Sequence, residues 1–310
     1  MIPMVLVTGF LGSGKTTYLR RLASRDRQKR LVFLVNEFSA LDVDGHVLEA
    51  ESDKVVSVVG GSIFCRCLVG QFLDELGSLP SRYNVPGAPL EGVVVEASGM
   101  ADPLVVRRML EETRLDRVYD LRTIVSVVDP GTLRKLLATL PNIRSQIAAA
   151  HVVLINKTDC FAEEEVSEAE RAVREIHPEA LIVRTSYCET SLDPFVPPAA
   201  PTAEGEGDYA PCRDPNFDTL AIRCPSPVDP AELERRLVEK AAFVYRAKGT
   251  VRTPSGSPLR VDYSGAGFQT EPAHESDCPG EIVLIVAGGT VDRVAGLAEW
   301  LGEVVASSAE

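Results

Sequence analysis

The segment Gly9-Phe10-Leu11-Gly12-Ser13-Gly14-Lys15-Thr16 constrains this chain more than any other. It spells G-x-x-x-x-G-K-[ST] between an apolar stretch at 4–8 and a stretch of helical spacing at 18–23. Holding phosphate through backbone N–H groups takes glycines at the turn, a helix N-terminus aimed at the anion, an ammonium for the outer phosphates and a hydroxyl for Mg²⁺. Gly9, Gly12, Ser13, Gly14, Lys15, Thr16 and Thr17 answer those needs in order. Further apolar runs follow at 31–35, 55–58, 92–96, 123–128, 152–156 and 181–185, with helical segments at 102–110, 131–137 and 163–176 between several of them. That alternation predicts an α/β fold built on a doubly wound, mostly parallel sheet.

A second motif, Asn156-Lys157-Thr158-Asp159, stands at the end of a predicted strand, where ligands sit in open α/β sheets, and it matches N-K-x-D. The Asp159 carboxylate can accept from the two donor nitrogens of guanine, a pair that adenine lacks, so this residue selects GTP. Thr185-Ser186-Tyr187 follows the next strand, where a second base-contacting loop would fall. Glu96, closing the 92–96 run, supplies a carboxylate beside the phosphate loop. It could orient a Mg²⁺-bound water while the Gly99 amide approaches the γ-phosphate, or the cluster could cap the helix expected from Asp102.

Composition narrows the partners. A net charge of −13 over 310 residues would repel a phosphate backbone, which argues against nucleic acid as the main ligand. No apolar run approaches the ~18 residues of a membrane span, and the N-terminus lacks a basic region and a cleavage site. Seven scattered cysteines do not make a disulfide framework, so the expected compartment is the reducing cytoplasm. Cys160, Cys188, Cys212, Cys224 and Cys278 read as packing or incidental residues, and His151, His177 and His274 as structural or surface ones.

Prolines 194, 197, 198, 201, 211 and 215 mark a change in composition. The expected organisation is a nucleotide-binding domain at 1–193, a Pro-rich linker at 194–216 and a smaller α+β domain at 217–310. In the last, strands are expected at 219–224, 244–252, 259–263 and 281–287. Asp229-Pro230-Ala231-Glu232 opens a helix with Glu232 as a capping-box residue, and a closing helix is expected over 290–305.

Several segments together resemble the CobW-type P-loop GTPases, relatives of the HypB and UreG nickel-insertion GTPases. They are 9–17, Val35-Asn36-Glu37-Phe38 running on to Asp42-Val43-Asp44-Gly45, Gly61-Ser62-Ile63-Phe64-Cys65-Arg66-Cys67, Glu96-Ala97-Ser98-Gly99-Met100-Ala101-Asp102-Pro103 and 156–159. Tyr245-Arg246-Ala247-Lys248-Gly249 is similar to the R-x-K-G stretch of the CobW C-terminal domain. The resemblance implies a Mg²⁺-dependent GTP/GDP switch that acts as a metallochaperone or metal-cofactor insertion factor for a client metalloprotein. Lys15, Thr16 and Glu96 would be its catalytic residues, and Thr16 and Glu96 would hold Mg²⁺. No Gln or Arg finger is identifiable, so intrinsic turnover is expected to be slow. A nucleotide-dependent homodimer is a further expectation.

The family also carries a C-x-C-C motif for a soft or borderline ion such as Zn²⁺ or Co²⁺. Here Cys65 and Cys67 match its first two positions and Leu68 replaces the third, while Ser39 stands where glycine is usual. Two thiolates leave the site incomplete, so Glu37, His46, water or a partner must complete it, and Glu37 is the preferred third ligand. The alternative is a pair of small buried residues in a relic loop. The switch would then serve a corrinoid or other metalloenzyme without a metal cargo of its own. A P-loop small-molecule kinase would account for Lys15 and Thr16 but leaves Asn156, Lys157 and Asp159 without a purpose.

Overall fold

Successive side chains of a strand point to opposite faces, so a run that is apolar at every position needs cover on both sides. The first strand, β1 (Ile2–Thr8), meets that condition: Met4 and Leu6 enter one buried cluster, Val5 and Val7 another. In this computed structural model the described residues are 1–37, 55–59, 69–99, 101–198, 217–264, 267–275 and 278–307. With β2 (Leu31–Glu37), β3 (Val55–Val59), β4 (Gly92–Glu96), β5 (Tyr119–Val128), β6 (Val152–Ile155) and β7 (Leu181–Arg184), β1 forms a parallel sheet. Its order is β3-β2-β4-β1-β5-β6-β7.

Among the described residues six helices accompany that sheet: α1 (Lys15–Arg25), α2 (Val69–Tyr83), α3 (Val105–Glu112), α4 (Pro130–Thr139), α5 (Pro141–Ala148) and α6 (Glu163–Ile176). Helix α2 was not expected from the sequence. It buries Phe72, Leu76 and Leu79 along one stripe, and Tyr119 Oη donates to the Leu76 carbonyl at 2.6 Å. The helix expected from Asp102 begins at Val105, because Asp102 Oδ1 first accepts from Leu104 N at 3.0 Å and holds the chain in a turn.

The chain divides into two compact units, Met1–Cys212 and Arg213–Glu310. Phe195, inside the stretch expected as linker, packs on the core of the first unit with Lys29 Nζ 5.8 Å above its ring. The first unit therefore runs past residue 193.

The second unit is a six-stranded antiparallel sheet. Its strands are β8 (Phe217–Arg223), β9 (Val244–Arg252), β10 (Pro258–Ser264), β11 (Gly267–Pro272), β12 (Glu281–Ala287) and β13 (Glu303–Ser307), ordered β11-β10-β9-β12-β8-β13. Helices α7 (Pro230–Glu239) and α8 (Val291–Leu301) bury Leu233, Leu237, Val294, Leu297 and Leu301 in its core. Asp229 caps α7 as expected, accepting from Ala231 N at 3.0 Å. Glu232 instead accepts from Arg235 and Arg236. The closing helix stops at Leu301 rather than Val305, since Glu303–Ser307 pairs with β8. Gly249 of the R-x-K-G stretch has a steric reason: a Cβ there would collide with the Glu281 carbonyl on β12. No helix among the described residues is long and apolar enough to cross a membrane.

Candidate functional site

The C-terminal ends of five neighbouring strands deliver the candidate residues to one edge of the sheet. The phosphate loop follows β1, Glu96 closes β4, Asp129 follows β5, the 156–159 turn follows β6 and the 185–188 loop follows β7. Gly9, Gly12 and Gly14 all have positive φ (135°, 78° and 116°). At Gly14 the requirement is also steric, because a Cβ would collide with Asn156 Nδ2. Tyr18 N then donates to the Gly14 carbonyl at 2.9 Å and the loop passes directly into α1.

Lys15 and Glu96 are buried together, each 6% exposed at its side chain, with Nζ 4.0 Å from Oε1 and 3.4 Å from the Phe10 carbonyl. Removing an ammonium and a carboxylate from water costs several kcal/mol per ion, so burying both requires mutual compensation or a charged ligand. Ser13 Oγ and Thr8 Oγ1 are also buried, without a hydrogen-bond partner among the described residues. Loop amides, a buried cation and unused hydroxyls are the donor set that a polyphosphate takes up. Gly99 lies against the loop, where a Cβ would stand 2.6 Å from Leu11 N. Its carbonyl and that of Ala101 are held by the buried Gln146 Nε2 at 3.0 Å each. No local pattern marks Gln146, whose partners are 45 and 47 residues away in sequence.

Asn156 binds the loops to one another. Its Nδ2 donates to the Ser13 carbonyl at 2.9 Å, and its Oδ1 accepts from Cys188 N at 2.8 Å and Thr185 Oγ1 at 3.2 Å. The Asn156 side chain is thus committed to groups of the protein itself, two on the backbone and the Thr185 hydroxyl. Lys157, at φ 61°, pairs with the buried Asp129 at 2.8 Å, and the other Asp129 oxygen caps α4 through Gly131 N at 3.0 Å. Asp159 stands exposed on the next short turn. Cys188, read from sequence as a packing residue, is 1% exposed and donates its thiol to the Gly14 carbonyl at 3.3 Å; burial pushes that thiol up to about 12 and keeps it neutral. Thr16 and Thr17 sit in the first turn of α1. Cys65 and Cys67 lie outside the described residues, as do His46 and Leu68. Glu37 is placed only as the last residue of β2.

A parallel doubly wound sheet that carries a glycine phosphate loop, a buried Lys–Glu pair and an Asn-Lys-x-Asp turn bonded to that loop defines a P-loop nucleotide-binding protein. More particularly, the chain belongs to the CobW/HypB/UreG family. The model of that family's nucleotide-binding domain matches residues 3–184, and the model of the cobalamin synthesis protein cobW C-terminal domain matches 217–300. Zinc chaperone YeiR of Escherichia coli strain K12 is 33% identical over 156 residues, 50% of this chain and 46% of that one, so the match spans about half the length of each. Zinc chaperone YjiA of the same strain is 24% identical over 276 residues, 85% and 86% of the two chains. The crystal structure of Zn(II)-bound YjiA GTPase from E. coli aligns over 97% of this chain and 99% of that one, at 19% identity and a TM-score of 0.44.

Proposed function

We propose that this chain binds GTP with Mg²⁺ at its phosphate loop, hydrolyses it slowly, and uses the cycle to hand zinc or a chemically similar divalent ion to a client metalloprotein. The observation that carries this reading is the bonding of the phosphate loop to the 156–159 turn through Asn156, which gives a triphosphate site and a guanine-selective carboxylate one frame. In this reading Lys15 neutralises the β/γ-phosphates, leaving Phe10 and Glu96 when phosphate arrives. The Thr16 hydroxyl and Glu96 are the residues that would hold Mg²⁺, which when bound neutralises charge developing on the phosphates. The Gly99 amide meets the γ-phosphate, with Gln146 fixing the backbone behind it. Asp159 accepts from the guanine edge.

For the cargo, two relatives that bear the name zinc chaperone support zinc. Cys65 and Cys67 are the thiolates proposed to bind it, with Glu37 as third ligand, since zinc takes about four ligands and one intervening residue lets two sulfurs reach one ion. Leu68 in the third cysteine position favours a second reading, a switch that activates a metalloenzyme without carrying the ion. A zinc titration of the wild type and of Cys65→Ser/Cys67→Ser, each with GDP and with a non-hydrolysable GTP analogue, separates the two. The metallochaperone reading expects an affinity that depends on both cysteines and on the nucleotide, with reciprocal tightening of GTP by zinc. Equal affinities in all four samples overturn it.

A further inference from the structure

Lysine is a strained choice at position 157. The backbone there stands at φ 61° and ψ 31°, in the left-handed region where glycine is the ordinary occupant and a Cβ is crowded. Such strain persists only where the surrounding structure holds it. Here the hold is Asp129, 28 residues earlier and first after β5, whose Oδ2 accepts from Lys157 Nζ at 2.8 Å. The Asp129 side chain is 5% exposed and that of Lys157 19%, so the pair is shielded from water. The other carboxylate oxygen, Oδ1, is fixed in turn by Gly131 N at 3.0 Å. The group that anchors Lys157 is therefore itself anchored to the first turn of α4.

The same helix end meets the turn a second time. A Cβ at Gly131 would stand 2.5 Å from Phe161 Cε1, so the start of α4 lies directly against the residue that closes the 158–160 turn. Asn156 N donates to the Val128 carbonyl at 2.8 Å, and Cys160 N to the Lys157 carbonyl at 2.9 Å. Residues 156–161 are thus tied at both ends to 128–131, and Asp159 lies exposed between those ends. Because residue 157 stands two positions before Asp159, a return of its φ to negative values would swing that carboxylate out of its present place. Resting on the guanine-nucleotide reading above, we infer that Asp129 is a positioning residue for base selection: through Lys157 it fixes the left-handed turn that aims Asp159 at the guanine edge.

The test measures affinities of the full chain for GTP, ITP and inorganic tripolyphosphate. Hypoxanthine lacks the exocyclic amino group of guanine, so ITP offers Asp159 one donor where GTP offers two. The wild type is expected to prefer GTP by about 10- to 100-fold, the range for one hydrogen bond to a charged group. Asp129→Asn keeps an acceptor for Gly131 N and removes the charge that holds Lys157. It is expected to lower the GTP/ITP ratio at least about fivefold, since a hydrogen bond weakens steeply with misalignment, and to leave tripolyphosphate affinity unchanged. An ammonium left buried without its partner can unfold a chain, so Lys157→Met and Asp129→Asn/Lys157→Met are measured beside it, the double variant carrying neither charge. Acting through Lys157, Asp129 should have no further effect once Lys157 is gone, and the double variant should match Lys157→Met in its ratio. A wild-type GTP/ITP ratio in Asp129→Asn or in the double variant, an equal loss for tripolyphosphate, or a double variant well below Lys157→Met overturns the inference while the guanine reading stands. A wild-type chain that binds ITP as tightly as GTP overturns the guanine reading, and the inference with it.

Discussion

Replacing Asn156 with alanine should loosen the frame that holds the phosphate loop against the base side of the site. The residue is 2% exposed and its side chain serves three partners: the Ser13 carbonyl at 2.9 Å, Cys188 N at 2.8 Å and Thr185 Oγ1 at 3.2 Å. Truncation leaves these groups in a site that water does not freely enter. With a net cost of about 0.5–1.5 kcal/mol per lost hydrogen bond, the three together predict a destabilisation of about 1.5–4.5 kcal/mol. Urea unfolding followed by circular dichroism reads that loss directly, and calorimetric titration should show GTP affinity falling at least about tenfold as Ser13 loses its tether. Asn156→Asp is a sharper probe. It keeps the acceptor for Cys188 N and Thr185 but turns an acceptor toward the Ser13 carbonyl, so it should be less stable at pH 8 than at a pH where the new carboxyl is protonated and can donate. An Asn156→Ala protein within about 0.5 kcal/mol of wild type, with unchanged GTP affinity, would refute the assignment of Asn156 as the link between the loops.

Asp159→Asn should abolish the preference for GTP over ATP, costing about 1–3 kcal/mol of GTP affinity because a guanine donor then faces an amide N–H; competition binding with both nucleotides checks it. Lys15→Ala should eliminate hydrolysis and weaken GTP far more than guanosine, since of the nucleotide's parts only the phosphates meet the lost charge, and wild-type turnover in that variant would place the chemistry elsewhere. His151 makes a pH prediction: its Nδ1 accepts from Ile124 N at 3.0 Å, and burial, then Arg107 and His177, lower it from 6.5 to about 4. Because the folded value lies below the unfolded one, this contribution is complete above pH 6.5 and is lost as pH falls toward 4, up to about 3 kcal/mol in all. His151→Gln, which can still accept from Ile124 N, should flatten that part of the stability profile, and an unaltered profile would count against the mechanism.

The parts of this protein legible in its sequence are those whose physical cause is local. Gly9, Gly12 and Gly14 announce a loop that only glycine can follow, and the apolar runs within β1, β4 and β6 announce strands covered on both faces. The spacing of Phe72, Leu76 and Leu79 carried a signal for α2 that the nearby glycines and Pro80 obscured. Beyond Leu301 the sequence pattern still suited a helix, and only an open edge of β8 made residues 303–307 a strand.

Within the candidate site the same division holds. Which residue types could meet phosphate and guanine was written in two short motifs, because each motif's chemistry lies within a few residues. How those motifs hold one another was not. Asn156 reaches Ser13 across 143 residues, Arg21 reaches Tyr187 across 166, and Gln146 reaches the backbone beside Gly99 across 47. Side chains such as these have no local periodicity and no signature of their own. Their roles exist only once parallel strands distant in sequence bring their C-terminal ends to one edge, where each buried polar group must find its partner.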